Sequence, residues 1–239
     1  MIRIMRADLR RILRTKGFHI FNVFLVLFMP IFLLSEDKQT TLDKADSFLS
    51  MGGILLVSLL AIIKVYSDEL HAGTIQGAIG AGIKRDSVVA AKFLSCAIIG
   101  IFELGFILLL MFGVMALDDS ILFTKNDHLM LVYSCICHYV VFLDCIALSS
   151  LVLYASWSVP AAFITDVAVV LLLPAVFSGV DSLLNTVFTE LWVKGLVEVA
   201  YVSLCNGAFD ARLIIAVLVY VILPAYLSAA VFRRKELEL

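Results

Sequence analysis

The chain has 239 residues, of which 62% are hydrophobic and 16% are charged, and its formal net charge is −2. A soluble domain is nearer half apolar and a quarter charged, so this composition excludes an ordinary soluble protein and favours a membrane protein. The sequence lacks the alternating pattern of a β-barrel. We therefore expect an all-α membrane protein, whose helices satisfy their own backbone groups in lipid.

The first sixteen residues form a basic segment ahead of the first long apolar run. Its apolar residues recur at helical spacing, with arginines on the other face. This pattern predicts an interfacial amphipathic helix on anionic lipid, or a basic topology signal, and both can hold. The apolar positions are Ile2, Met5, Leu9, Ile12 and Leu13.

Six apolar runs are each long enough to cross a membrane, since a spanning helix needs about 20 apolar residues. Almost no chain remains for a soluble domain, so we expect residues 1–239 to form a single membrane domain. The first run contains Pro30 and lacks a small-residue cleavage site, which predicts an uncleaved helix. The predicted spans are about Gly17–Leu34, Ser47–Tyr66, Val88–Leu117, Leu129–Ser156, Pro160–Val180 and Arg212–Phe232.

Basic residues indicate the orientation of these spans. Thirteen lysines and arginines fall on the side of the two termini and of the second-to-third connection, against five on the other side. Cytoplasmic loops of membrane proteins carry the excess of cations. We therefore expect a multi-pass protein of the cytoplasmic (inner) membrane with both termini in the cytoplasm.

The connection between the second and third spans, Tyr66–Lys92, is polar and interrupted by glycines. The Thr74 hydroxyl can cap a new helix, and Gly73 allows the turn before it. Ile75 and Ile79 are four residues apart and would form an apolar face for a partner's groove. Each glycine weakens the helix by about 1 kcal/mol relative to alanine, which predicts a helix that is short or that becomes ordered only against its partner. A solvated loop capped for local stability is the alternative.

The same connection carries Glu69-x-x-x-Gly73-Thr74, then Arg85, then Lys92 at the start of the third span. With six spans and a basic tail, this segment resembles the permease subunits of ABC-2 type ABC transporters, although the proline that often precedes the basic residue is missing. The resemblance implies a cytoplasmic coupling helix and outer helices before the last span. The residues that it implies for coupling to the ATPase are Glu69, Gly73, Thr74, Ile75 and Arg85.

The resemblance also implies the partners. A second permease chain, identical or different, would form a dimer, and each chain would engage a separate ATPase that binds ATP and Mg. This chain has no phosphate-binding G-x-x-x-x-G-K-[ST] motif, so we expect no catalysis and no cofactor on it. The expected substrate is an amphipathic or hydrophobic molecule, such as an antimicrobial peptide, that leaves the cell. Lipid is the other expected partner, and nucleic acid is not expected.

Three carboxylates lie within predicted spans: Glu103, Asp144 and Asp166. An ionised side chain in the membrane is costly, so each should face protein or water. They either line the transport path or lock helices together through hydrogen bonds to Tyr139, Tyr154 or Ser149. Two other functions remain open: a proton-coupled secondary carrier that uses these carboxylates, and a non-transporting membrane scaffold.

Two further segments carry predictions of their own, a pair of cysteines and the connection before the last span. Cys135 and Cys137 are two residues apart and point about 200° apart on a helix, so no metal site is expected there. Asp181–Phe209 has apolar residues at helical spacing, which predicts an outer amphipathic helix or re-entrant pair with Gly195 as the bend. That segment could gate the exit or shield the end of the bundle.

Overall fold

The computed structural model describes residues 2–33, 44, 47–67, 74–117, 125–184 and 186–235. These residues are almost entirely helical and none lies in a strand, which confirms the predicted all-α class. In chain order the helices are α1 (Ile2–Arg14), α2 (Lys16–Leu33), α3 (Phe48–Ser67), α4 (Thr74–Gly80), α5 (Arg85–Leu117), α6 (Lys125–Ser156), α7 (Val159–Leu184), α8 (Phe188–Leu191), α9 (Val193–Cys205) and α10 (Arg212–Arg234).

In the described part of the chain, six helices are long and apolar enough to cross a membrane: α2, α3, α5, α6, α7 and α10. They coincide with the six predicted runs and indicate a multi-pass membrane protein. Three helices extend three or four residues beyond their predicted bounds, since α5 begins at Arg85, α6 begins at Lys125 and α7 continues to Leu184. Each extension contains a polar residue, Asp86, Asp127 or Asp181, which lowers the local hydropathy but does not prevent a helix.

Helix α6 lies at the centre of the bundle. It packs against α3, α5, α7, α9 and α10, and 61% of its most apolar window is buried inside the chain. The corresponding share is only 22% in each of α2, α7 and α10. These three helices therefore leave the largest apolar surface for lipid or for another protein.

Two of the long helices widen into a π-helical turn directly before a proline. In α7 the turn covers Ala168–Leu172 and Pro174 follows, and in α10 it covers Val217–Ile222 and Pro224 follows. Proline has no N–H group, and its ring collides with the carbonyl oxygen four residues earlier. A wider turn relieves that collision, so the prolines explain the local geometry of both helices.

Helices α5 and α6 approach each other closely at Gly100. A Cβ atom at this position would overlap the ring of Phe142, which is fully buried on α6. Phe142 stacks on Tyr139, whose hydroxyl donates a 3.0 Å hydrogen bond to the carbonyl of Ala97 on α5. Small residues permit such close packing of membrane helices, and here one fixes how α5 packs against α6.

The two ends of the bundle differ in charge. Helices α1 and α4, the start of α5 and the ends of α6 and α10 meet at one end, which contains Arg11, Arg85, Arg233 and Lys235. We call it the basic end. Helices α8 and α9 lie at the opposite end.

Candidate functional site

At the basic end, a buried ion pair attaches α1 to α5. The Lys92 Nζ atom lies 2.7 Å from Asp8 Oδ2, and the two residues are only 1% and 4% exposed. The Ser95 hydroxyl donates to the same carboxylate at 3.4 Å. Arg11 lies 4.0 Å from the other oxygen of Asp8 and donates at 3.2 Å to the carbonyl of Lys64 on α3. Helix α1 is therefore connected to both α3 and α5.

This attachment divides the apolar face that the sequence predicts for α1. Ile12 is buried beside Asp8, whereas Ile2 and Leu13 are exposed. The expectation that all five apolar positions share one lipid-facing side is therefore wrong. The sequence does not predict this ion pair. A single aspartate among arginines has the pattern of a surface charge, and its partner Lys92 is 84 residues away in the sequence.

Helix α4 follows α3 along the chain and has seven residues, as its glycine content predicts. It begins at Thr74, whereas Glu69 and Gly73 lie outside the described residues. Its end is a Schellman motif, in which the N–H of Gly82 donates to Ile79 at 2.9 Å and the N–H of Ile83 donates to Ala78 at 3.1 Å. Gly82 has φ +86°, a conformation that favours glycine.

Ile75 fixes α4 against the rest of the chain. It is only 2% exposed and borders, with Ala7 and Val88, a cavity of about 210 Å³ between α1, α4 and α5. The expectation that Ile75 faces a partner's groove is therefore wrong, because its side chain faces this chain's own core. The side of α4 that faces away carries Gly77 and Gly80, and an added Cβ atom at either would meet open space.

Arg85, the first residue of α5, binds the end of the last helix. Its guanidinium donates to the carbonyls of Phe232, Arg233 and Lys235, and it lies 5.8 Å from the centre of the Phe232 ring. A cation at the C-terminal end of a helix satisfies free carbonyls and complements the helix dipole. The structure therefore gives Arg85 an internal partner, the end of α10.

Lys235 binds the end of α6 in the same way. Its ammonium group donates to the carbonyls of Tyr154 at 3.4 Å and Ala155 at 2.9 Å, and it lies 5.5 Å from the ring centre of Trp157. Trp157 has φ +59°, which places the chain reversal between α6 and α7 there. The ends of α6 and α10 and the start of α5 are thus joined by two cations.

Replacing Arg85 with glutamine should free the last turn of α10. We expect trypsin to cleave the purified protein after Arg233 and Arg234 several times faster, because the hydrogen bonds that charged groups make contribute about 1.5–3 kcal/mol when shielded from water. Mass spectrometry of the released tail measures this rate. The exposed neighbour Lys84 provides the control variant Lys84→Gln, and equal rates for the two variants would contradict the expected role of Arg85.

The three carboxylates of the bundle are all buried, and two of them, Asp144 and Asp166, lie close enough to interact electrostatically. Glu103 lies on α5, where its Oε1 accepts from Asn22 Nδ2 at 3.2 Å. Asp166 on α7 accepts a 2.6 Å bond from Ser58 on α3. Asp144 on α6 has no hydrogen-bond partner among the described residues, although it is close enough to Asp166 for electrostatic repulsion.

Asn22 and Ser58, which donate to Glu103 and Asp166, are not among the tyrosines and the serine that the sequence suggested. Tyr139 donates to a backbone carbonyl instead. Asparagine and serine can hydrogen-bond across membrane helices, but nothing in the local sequence shows which acceptors these two contact. The pattern of the pairs, one across α2 and α5 and one across α3 and α7, is that of contacts between helices.

The segment between α7 and α10 bends at Trp192, which lies between α8 and α9 with extended backbone angles. The prediction that Gly195 is the bend is wrong; Gly195 lies in α9, where a Cβ atom would overlap the carbonyl oxygen of Thr189. Asp181 closes the turn before α8 by accepting from the backbone N–H of Phe188 at 2.8 Å and of Thr189 at 2.7 Å.

Aromatic rings attach this segment to the bundle. Trp192 lies 5.4 Å from Phe177 of α7 and 5.3 Å from Tyr220 of α10, measured between ring centres. The Tyr220 hydroxyl also donates to the carbonyl of Leu191 at 2.7 Å. Helices α7, α8 and α10 are thereby joined at the end opposite to the basic end.

Comparison of the chain with protein-family models and with curated proteins finds no match.

Proposed function

We propose that this chain is the membrane-spanning subunit of an ATP-driven ABC-2 type exporter. Two such chains, identical or different, would pair in the cytoplasmic membrane, and a separate ATPase that binds ATP and Mg would engage each one. The cargo would be an amphipathic or hydrophobic molecule, such as an antimicrobial peptide, that leaves the cell. No catalytic step would belong to this chain.

The observation that supports this function best is the arrangement around α4. A short helix stands between the second and third spans; its Ile75 is buried and borders a cavity shared with α1 and α5, while Gly77 and Gly80 face away. Glycines on an outer face allow another protein's backbone to approach closely. A docked subunit could displace such a helix, because it is not one of the six spanning helices.

The charges of the basic end fit this arrangement. Thirteen of the eighteen lysines and arginines fall on the side of the termini and of α4, which by the positive-inside rule would place α4 in the cytoplasm with the ATPase. Ile2 and Leu13 of α1 remain exposed for contact with lipid at the membrane surface.

A displacement of α4 would reach the bundle by two routes. Through α1 it would act on α5, because Asp8 and Lys92 form a buried 2.7 Å ion pair. Through the turn at Gly82 it would act on Arg85, which binds the end of α10. Both routes end on spanning helices, as a transport cycle requires.

Purification of the tagged chain from its native membrane in mild detergent tests the proposal. We expect mass spectrometry to find a stoichiometric P-loop ATPase with it. The Gly77→Trp variant should reduce the recovered ATPase at least about tenfold, since disrupting an interface hot spot costs about 2 kcal/mol or more. Gly179→Trp is the matched control, because Gly179 is also exposed and uncrowded but lies near the far end of α7. Recovery without any ATPase would reject the proposal.

A double variant tests coupling apart from assembly. We expect Glu69→Ala with Gly73→Val to abolish ATP-driven export while the chain still inserts into the membrane. Flux in vesicles that contain both subunits measures this, and membrane extraction controls for insertion. Normal ATP-driven flux in the double variant would show that this segment does not couple the two subunits.

One observation favours a proton-coupled carrier as a second candidate. Asp144 is fully buried, lacks a hydrogen-bond partner among the described residues and is near Asp166. Buried carboxylates of this kind mark proton pathways in many transporters. A carrier would use a pH gradient, without ATP, to drive movement of its substrate, and Asp144→Asn would stop that movement.

A further inference from the structure

A groove of about 530 Å³ lies between α2 and α5, and Leu13 of α1 also lines it. Its walls are mainly apolar. Phe18 and Phe106 contribute aromatic rings, and the exposed side chains of Phe102 and Leu109 form its rim. An apolar groove with one or two polar groups is the usual form of a small-molecule site.

Glu103 supplies the acidic group of the groove, beside the polar side chains of Asn22 and His19. Glu103 is only 1% exposed; its Oε1 accepts from Asn22, and its Oε2 is buried without a hydrogen-bond partner among the described residues. A buried oxygen of this kind costs free energy unless a donor reaches it. Asn22 engages only one oxygen, so the second is the acceptor left for a donor that reaches Glu103 from the groove.

We infer that this groove binds the amine end of a hydrophobic or amphipathic molecule that enters from the lipid. The ammonium group would donate to Glu103 Oε2, a charge-assisted hydrogen bond. The rings of Phe18, Phe102 and Phe106 surround the same space and favour a cation over a neutral donor. The rest of the ligand would cover the apolar walls as far as Leu109.

The position of the carboxyl group can be counted along both helices from the basic end. Asn22 is six residues beyond Lys16, the first residue of α2, and Glu103 is eighteen residues beyond Arg85, the first residue of α5. These separations are about 9 Å and about 27 Å along the two helix axes. Both helices are long and apolar enough to cross a membrane, so a molecule dissolved in the lipid would approach the groove from the side.

Two other molecules could occupy an apolar groove, but each fits the buried carboxyl group less well than an amine does. An acyl chain of a lipid would fill the apolar walls but leave Glu103 Oε2 without a donor. A second copy of this chain would have to bring a donor of its own into a space that the rims of α2 and α5 partly enclose. Charge complementarity with one buried carboxyl group favours the amine.

The test uses the full chain in nanodiscs made of lipids without amino groups. A fluorescent long-chain primary amine and the alcohol of the same chain length are titrated separately. We expect the amine to bind at least about tenfold more tightly, the difference expected for one hydrogen bond to a charged group. Glu103→Gln keeps an acceptor for Asn22 but removes the charge, so it should abolish this preference and leave the alcohol's affinity within about threefold.

A pair of glycine variants checks that the ligand lies in the groove. Gly105 borders it, and a Cβ atom there would meet open space, so Gly105→Leu should fill the groove and weaken the amine at least about tenfold without distorting α5. Gly113, on the same helix but away from the groove, is equally uncrowded. Gly113→Leu should therefore bind the amine as the unchanged chain does.

Several results would overturn the inference: equal affinities for amine and alcohol, an amine preference that survives Glu103→Gln, or equal effects of the two leucine variants. Displacement of the amine by phosphatidylethanolamine at bilayer concentrations would also overturn it, since the groove would then be a lipid site. The inference depends on the proposed function only in regarding the amine as cargo. Because the titration needs no ATPase, its failure is distinguishable from failure of the co-purification.

Discussion

Replacement of Lys92 with methionine should lower the free energy of unfolding by about 3–5 kcal/mol, the usual effect of removing one partner of a buried ion pair. The loss arises because Asp8 would stay inside the protein, with its nearest other cation, Arg11, 4.0 Å away. Thermal unfolding of the protein in nanodiscs, followed by the loss of monodisperse protein, measures the change.

The double variant Asp8→Leu with Lys92→Met provides the decisive comparison. It removes both charges of the buried pair, and Arg11, whose side chain is 33% exposed, keeps its hydrogen bond to the carbonyl of Lys64, so we expect stability within about 1 kcal/mol of the unchanged chain. Ser95 tolerates the change, because its hydroxyl also donates to the carbonyl of Ala91 at 2.9 Å. Lys84→Met, an exposed change beside α5, serves as the control. A double variant no more stable than Lys92→Met would contradict the assigned role of this ion pair.

The second large effect is expected at Gly195. Replacement with alanine would place a Cβ atom against the carbonyl of Thr189 and 2.7 Å from Cα of Glu190. Both are backbone atoms, so relief requires α8 to move away from α9. We expect a loss of about 1–3 kcal/mol in stability, as for other overpacked sites.

Fluorescence of Trp192 reports that movement directly. The chain has two tryptophans, so Trp157→Phe leaves Trp192 as the only one. In this background Gly195→Ala should shift the emission to longer wavelength, because Trp192 would separate from Phe177 and Tyr220. Gly179→Ala, where an added Cβ atom meets open space, should leave the emission unchanged. An identical shift in both variants would show that the overlap with the Thr189 carbonyl is not its cause.

The spanning helices could be predicted because their signal is local. A run of about 20 apolar residues is visible in the sequence whatever it packs against. The boundaries at Arg85 and Leu184 were less accurate, since the terminal turns of α5 and α7 are polar and rely on helical hydrogen bonds rather than on lipid.

The contacts of the basic end could not be predicted, because they join residues far apart in sequence. Asp8 and Lys92 each look like ordinary surface charges, and only the fold shows that they meet. Ile75 has the spacing of a docking residue, yet its side chain packs inside. A hydrophobic pattern shows that one face of a helix is apolar, but it does not show whether that face contacts a partner, lipid or the same chain.

The hydrogen bonds between Arg85 and the end of α10 also have a consequence for biosynthesis. Its acceptor carbonyls are 147–150 residues further along the chain. At about 5–20 residues per second, a ribosome needs about 7–30 s to add them. Throughout that interval the start of the third span exists without its final contacts. Closure of the bundle at this end therefore awaits the synthesis of residues 232–235, and a truncation before Phe232 would leave Arg85 without these acceptors.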